Sequence, residues 1–126
     1  PEAALQVLSL GGDEWILSLR GRAYAEAFRE LIQLKGVGPK LADCIILFAL
    51  HNTEAVPVDT HVWQAATRLY FPEWRGRSIT ESRYRAVGDY FRHRFGPLSA
   101  YVQQFLFFDN VRNWRARKRS SAAEPS

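Results

Sequence analysis

The sequence predicts an all-α fold, and three observations predict it. Apolar residues recur with helical spacing along most of the chain, from Trp15 to Leu106. No stretch alternates apolar and polar residues as a half-buried strand would, and no repeat appears. Glycine and proline punctuate the helical runs, at Gly11-Gly12, Gly21, Gly36 to Pro39 and Gly96-Pro97. A chain of 126 residues, 47% of them hydrophobic, suffices for one domain with a real core, or for part of a larger one.

Taken in order, Ala3 to Leu8 is a short apolar run closed by Gly11-Gly12. Asp13 is expected to cap a helix from Glu14 to about Leu19, with Trp15, Ile16 and Leu19 available for burial. The next helix, about Tyr24 to Leu34, carries Tyr24, Ala27, Phe28, Leu31 and Ile32 on one face. After Gly36-Val37-Gly38, Pro39 opens a helix to about Leu50, with Leu41, Ala42, Ile45, Ile46 and Ala49 on one face. His51 to Val58 is a connecting loop, in which Pro57 favours extended backbone. Asp59 stands where an N-cap belongs, before Val62, Ala65, Ala66, Leu69 and Tyr70. Phe71 to Arg77 is a loop, and Ser78-Ile79-Thr80-Glu81 has capping-box spacing. Tyr84, Val87, Phe91 and Phe95 then form an amphipathic stripe ending at Gly96. Pro97 starts the last helix, where Tyr101, Val102, Phe105 and Leu106 recur. The pattern fades from Arg112, so residues 1–114 are expected to form the domain and 115–126, with Arg115, Arg117, Lys118 and Arg119, a disordered basic tail.

Composition narrows the function. The net charge is +4 and the pI about 9.6, which suits a polyanionic partner. Arginine outnumbers lysine, as bidentate phosphate contact favours, although genomic base composition explains that bias equally well. Cys44 is the single cysteine, which excludes an internal disulfide and any four-cysteine zinc or iron–sulfur site. His51, His61 and His93 lack metal-ligand spacing, so neither metal nor cofactor is expected. No apolar run approaches the ~20 residues that span a bilayer, and no leader pattern starts the sequence. Without a methionine, the sequence is expected to be a processed or truncated piece.

The turn Gly36-Val37-Gly38-Pro39 carries the first functional signal. Two glycines permit a tight reversal, and the second helix then aims unpaired N–H groups and the positive end of its dipole at one point. Such a point binds phosphate. The stretch Leu34 to Cys44 resembles the helix-hairpin-helix motif of DNA-binding proteins. A plain αα-hairpin with a glycine turn is the competing reading.

Spacing of four puts Lys40, Cys44 and Phe48 on one stripe of the second helix, as one wall of a pocket. The segment Val56-Pro57-Val58-Asp59-Thr60-His61-Val62-Trp63, following that hairpin, resembles the helix-hairpin-helix DNA glycosylases. In that superfamily the aspartate matching Asp59 is required for base removal, and a lysine matching Lys40 marks members that also cut the strand. Gly36 to Ile45, Val56 to Trp63, and Phe95-Gly96-Pro97 followed by Gln103 and Phe107 are most similar to the 8-oxoguanine DNA glycosylases, over about Ala4 to Val111. The resemblance implies a helical glycosylase domain without the family's N-terminal α/β domain. It implies catalysis by Lys40 and Asp59, and backbone grip by the amides of Gly36, Gly38 and Leu41 with His61. Cys44, Phe48, Gln103 and Phe107 would contact the damaged base. The family's aspartate near the end of the last helix falls at Asn110, beside Asp109, which leaves the support of His61 open.

The expected chemistry is base excision. Lys40 attacks the sugar as a neutral amine, the base departs, and a Schiff base allows β-elimination. A free lysine has a pKa of ~10.4, and a helix N-terminus opposes its charge by only ~0.3–1 kcal/mol, so desolvation in a closed pocket must do most of the activation. The expected partner is damaged double-stranded DNA, met by a monomer with no membrane. The expected location is the nucleus of a eukaryote or the bacterial cytoplasm, not the exterior. Three alternatives remain open on sequence: an endonuclease III-like glycosylase for oxidised pyrimidines, a non-catalytic DNA-binding module, and an inert fragment. The first usually carries a four-cysteine cluster, and the second needs no carboxylate at Asp59.

Overall fold

A computed structural model describes residues 2–123, and among them every regular element is helical. The order is α1 (Glu2–Leu10), α2 (Asp13–Ser18), α3 (Tyr24–Ile32), α4 (Pro39–Phe48), α5 (Thr60–Leu69), α6 (Glu81–Phe95) and α7 (Ser99–Ala123). Short 3₁₀ turns at Pro72–Trp74 and Gly96–Leu98 precede α6 and α7.

Two clusters of buried side chains hold the helices together. In the first, Leu19, Ala27, Phe28, Leu31, Ala42, Ile46 and Leu50 join α3 to α4, with Val7, Trp15 and Ile16 of α1 and α2 against them. In the second, Val56, Val58, Val62, Trp63, Val87 and Phe91 join the loop after α4 to α5 and α6, with Leu106 and Phe107 of α7 against them. Val62, Val87 and Phe91 are completely buried, each contributing about 1.5–3 kcal/mol relative to exposure. The Trp63, Trp74 and Phe71 rings stack in sequence over the end of this core.

The apolar stripes place the helices correctly, but several local expectations differ from the structure. Asp13 lies inside α2, whose N-cap is Gly12 with no side-chain bond. The N-cap of α6 is Thr80, which accepts from the Arg83 amide at 3.2 Å, so the Ser78 capping box does not form. In α4 the buried positions are Ala42, Asp43 and Ile46, while Leu41 and Ala49 are exposed. In α7 the buried positions include Ser99, Ala100, Gln103 and Asn110, whereas Tyr101 and Phe105 face outward at 54% and 76% exposure. Polar residues take these inner positions because each finds a partner, as Ser99 does in the Phe91 carbonyl at 3.0 Å.

Helix α7 continues through Arg115, Arg117, Lys118 and Arg119 to Ala123, where a disordered tail was expected. Arginine, lysine and alanine are good helix formers, and an existing helix extends at one hydrogen bond per residue without a new nucleus. Pro1 and residues 124–126 of that expected tail lie outside the described residues. No described helix is long and apolar enough to cross a membrane.

Candidate active site

The reversal between α3 and α4 is built on one left-handed position. Gly36 takes φ +86°, where L side chains are strained, and the Val37 amide donates to the Leu34 carbonyl at 3.1 Å. Gly38 needs no such freedom: its φ is −88°. Its lack of a side chain matters for another reason, since a Cβ there would point into open space, where a ligand backbone would approach. Gly38 is the N-cap of α4 and Pro39 its first residue, with no side-chain cap. The N–H groups of Lys40 and Leu41, in the first turn, have no carbonyl one turn back to accept them. The Leu41 side chain is 49% exposed on the same rim. Helix α1 braces the turn: Gln6 accepts from the Lys35 amide at 2.7 Å, and Glu2 pairs with Lys35 at 2.9 Å.

Lys40 and Asp59 line one groove of about 260 Å³, with Cys44, Phe48, Gln103 and Phe107. Three stretches of sequence thus meet there: α4, the loop before α5, and two turns of α7. Pro57, Gln104 and Phe108 also line it, residues that the sequence patterns did not single out. Asp59 caps α5 by accepting the Val62 amide at 2.8 Å, as its position before that helix predicts. The cap uses one carboxylate oxygen, and Asp59 also lines the groove. Gln103 is buried and donates to the Pro57 carbonyl at 3.3 Å, which orients its amide along the wall. Burial pushes the Cys44 thiol up, with the Lys40 charge opposing. The groove is open: Lys40 is exposed and Phe48 is 65% exposed. The closed pocket expected around the amine is therefore not built by these residues alone.

His61 sits on α5 at the side of this groove, with Phe107 edge-on at 5.4 Å and Trp114 at 6.4 Å between ring centroids. Asn110, buried at 4% exposure, donates through Nδ2 to His61 Nδ1 at 3.1 Å and to Gln64 at 2.9 Å. With Asn110 as the donor, Nδ1 accepts, and a neutral ring then carries its proton on Nε2. Asparagine thus does hold His61. Asp109 takes no part, because it turns to Arg68 at 3.7 Å.

Sequence patterns also missed a buried polar cluster behind the groove. Asp43, 1% exposed, accepts from the hydroxyls of Tyr24 and Tyr84 through its two oxygens. Burial pushes its carboxyl up to about 6, although both phenols favour the charged form. The same burial raises both phenols, with Asp43 adding to it. Arg92 lies over the Tyr24 ring at 4.0 Å. An acidic residue inside an apolar stripe was the available signal. Among the described residues no group of three acidic, histidine or cysteine side chains could hold a metal ion.

No protein-family model matches the chain. It is 44% identical to the N-glycosylase/DNA lyase OGG1 of Arabidopsis thaliana over 104 residues, 82% of this chain and 28% of that protein. It is 35% identical to a probable N-glycosylase/DNA lyase of Methanothermobacter thermautotrophicus over 92 residues, 73% of this chain and 27% of that one. Among solved structures, it superimposes on the 8-oxoguanine glycosylase/lyase of Clostridium acetobutylicum, crystallised with double-stranded DNA containing cytosine opposite 8-oxoguanine. The TM-score is 0.69 at 33% identity, over 89% of this chain and 36% of that one. The chain therefore spans less than a third of the two curated relatives.

Proposed function

We infer that this chain, a homologue of the helical part of the 8-oxoguanine DNA glycosylases, carries the reacting groups of a glycosylase and abasic-site lyase acting on 8-oxoguanine in DNA. One observation carries the reading: Lys40, Asp59, Cys44, Phe48, Gln103 and Phe107, from three separate stretches, line a single groove. A plain DNA-holding module has no use for a lysine and a carboxylate in such a groove. The cysteine and phenylalanines offer faces for a flat base, and the Gln103 amide offers hydrogen bonds to its edge.

The steps follow from position. The Gly36 to Leu41 turn and the His61 Nε2–H grip phosphates beside a flipped nucleotide, a contact that positions without reading sequence. The Lys40 amine forms a bond to C1′ as the bond from C1′ to the base breaks, and the base leaves with the electron pair. Asp59 opposes the positive charge that develops on the sugar. Loss of the ring oxygen from C1′ leaves a Schiff base, from which β-elimination expels the 3′ phosphate. Because Lys40 is exposed in the free chain, the bound nucleotide must contribute to excluding water from the amine.

Borohydride trapping tests the assignment. The chain alone should trap abasic duplex DNA weakly and excise 8-oxoguanine poorly, since an abasic site has no base to extrude. Lys40→Gln should abolish trapping while DNA binding stays within about twofold, because the grip uses backbone amides of the turn and His61, not the Lys40 side chain. Undiminished trapping by that variant would refute the role of Lys40.

A further inference from the structure

The hydroxyl of Tyr84 stands where both walls of the groove are anchored. Tyr84 lies on α6, far along the chain from the reacting groups, and is 6% exposed. Its hydroxyl donates to Asp43 Oδ2 at 2.5 Å. It accepts from the Val58 amide at 3.4 Å, with the Val56 carbonyl also at 3.4 Å. Asp43 is on α4, between Lys40 and Cys44 of one wall and the core. Val58 immediately precedes Asp59 on the other wall. We propose that Tyr84 is a positioning residue for the reaction, holding the Lys40 helix and the Asp59 segment at a set separation through Asp43 and Val58. The proposal rests on the function inferred above.

Apolar contacts between α4 and the Val56–Val58 segment are non-directional and allow small slides. A hydrogen bond to a carboxylate is directional and stronger than one between neutral groups. Asp43 has a second phenolic donor, Tyr24, which supplies a built-in control. Both tyrosines satisfy the same buried carboxylate, but the Tyr24 hydroxyl makes no hydrogen bond to the Val56–Asp59 segment. If the cluster served only to satisfy Asp43, the two hydroxyls would be equivalent. If it sets the groove, only the Tyr84 hydroxyl matters to the chemistry, where a displacement of ~1 Å costs up to ~100-fold in rate.

The experiment compares Tyr84→Phe and Tyr24→Phe in the full chain on abasic duplex DNA. Single-turnover trapping rates are measured over a range of protein concentrations, with amide hydrogen exchange on the free chains. Tyr84→Phe should lower the saturating rate by about tenfold or more and leave half-saturation within about twofold. Tyr24→Phe should leave both within about twofold, although each variant loses a bond to Asp43. Exchange of the Val58 amide should quicken in Tyr84→Phe only. Equal rates in the two variants, or an unchanged rate in Tyr84→Phe, would overturn the proposal while the parent still traps. A folded parent that traps nothing would overturn the functional reading, and this proposal with it. Should Tyr84→Phe fail to fold, Asp43→Asn replaces it, since asparagine offers one acceptor oxygen where the carboxylate gives each phenol its own, and an unchanged saturating rate there would be equally fatal.

Discussion

Replacing Asp43 by asparagine should change how stability depends on pH, with a sign opposite to that of most carboxylates. Burial raises the Asp43 carboxyl from its ordinary 3.8 to about 6. The folded state therefore holds the proton more tightly than the unfolded state does. Its contribution to stability is full below pH ~4, declines as pH rises through about 6, and is absent above. About two pKa units at 1.36 kcal/mol each make this about 3 kcal/mol. Tyr24 and Tyr84 face the carboxylate from α3 and α6; Arg92 favours its charge and Asp89 opposes it. The other acids titrate in parent and variant alike, so the difference between the two isolates Asp43. Urea unfolding followed by circular dichroism at pH 4, 5, 6 and 7 measures it. Between pH 4 and pH 7 the parent should lose roughly 2–2.5 kcal/mol of this relative to Asp43→Asn. Parallel profiles would mean that Asp43 titrates as a solvated carboxylate and that its burial has no energetic consequence.

Two further outcomes follow from the site. Asp59→Asn keeps an oxygen to accept the Val62 amide, so stability should change by less than about 0.5 kcal/mol, whereas Asp59→Ala should cost about 1 kcal/mol in urea unfolding. Trapping should fall steeply in both variants, and normal trapping by Asp59→Asn would reduce Asp59 to a cap. Gly38→Ala places its Cβ in open space, so the melting temperature should move little. Fluorescence anisotropy should show weaker binding to damaged and undamaged duplex alike. A loss confined to damaged DNA would move Gly38 from the phosphate grip to the base pocket.

Local chemistry alone determined much of this protein. The helices α3 to α6, the turn at Gly36, the Pro39 start of α4 and the Asp59 cap of α5 depend on neighbours within a few residues, so the sequence shows them directly. Capping failed at Ser78 and Asp13 because several residues nearby could serve, and packing chose among them. The stripe of α7 was misread because Ser99, Gln103 and Asn110 are buried by partners on other elements, which no local pattern reveals. Spacing puts Lys40, Cys44 and Phe48 on one stripe and resemblance points to Asp59, Gln103 and Phe107, but their convergence needs α7 to lie across the start of α5. Asn110 in place of an aspartate left His61 unsupported on paper, and only the fold brought Asn110 within 3.1 Å of the ring. Tyr84 is separated from Asp43 by most of the chain's middle, so their hydrogen bond exists only once the two cores have packed. Helix periodicity and caps are settled over one or two turns, whereas a buried polar group is tolerable only where distant elements deliver its partners, and that is decided by tertiary structure.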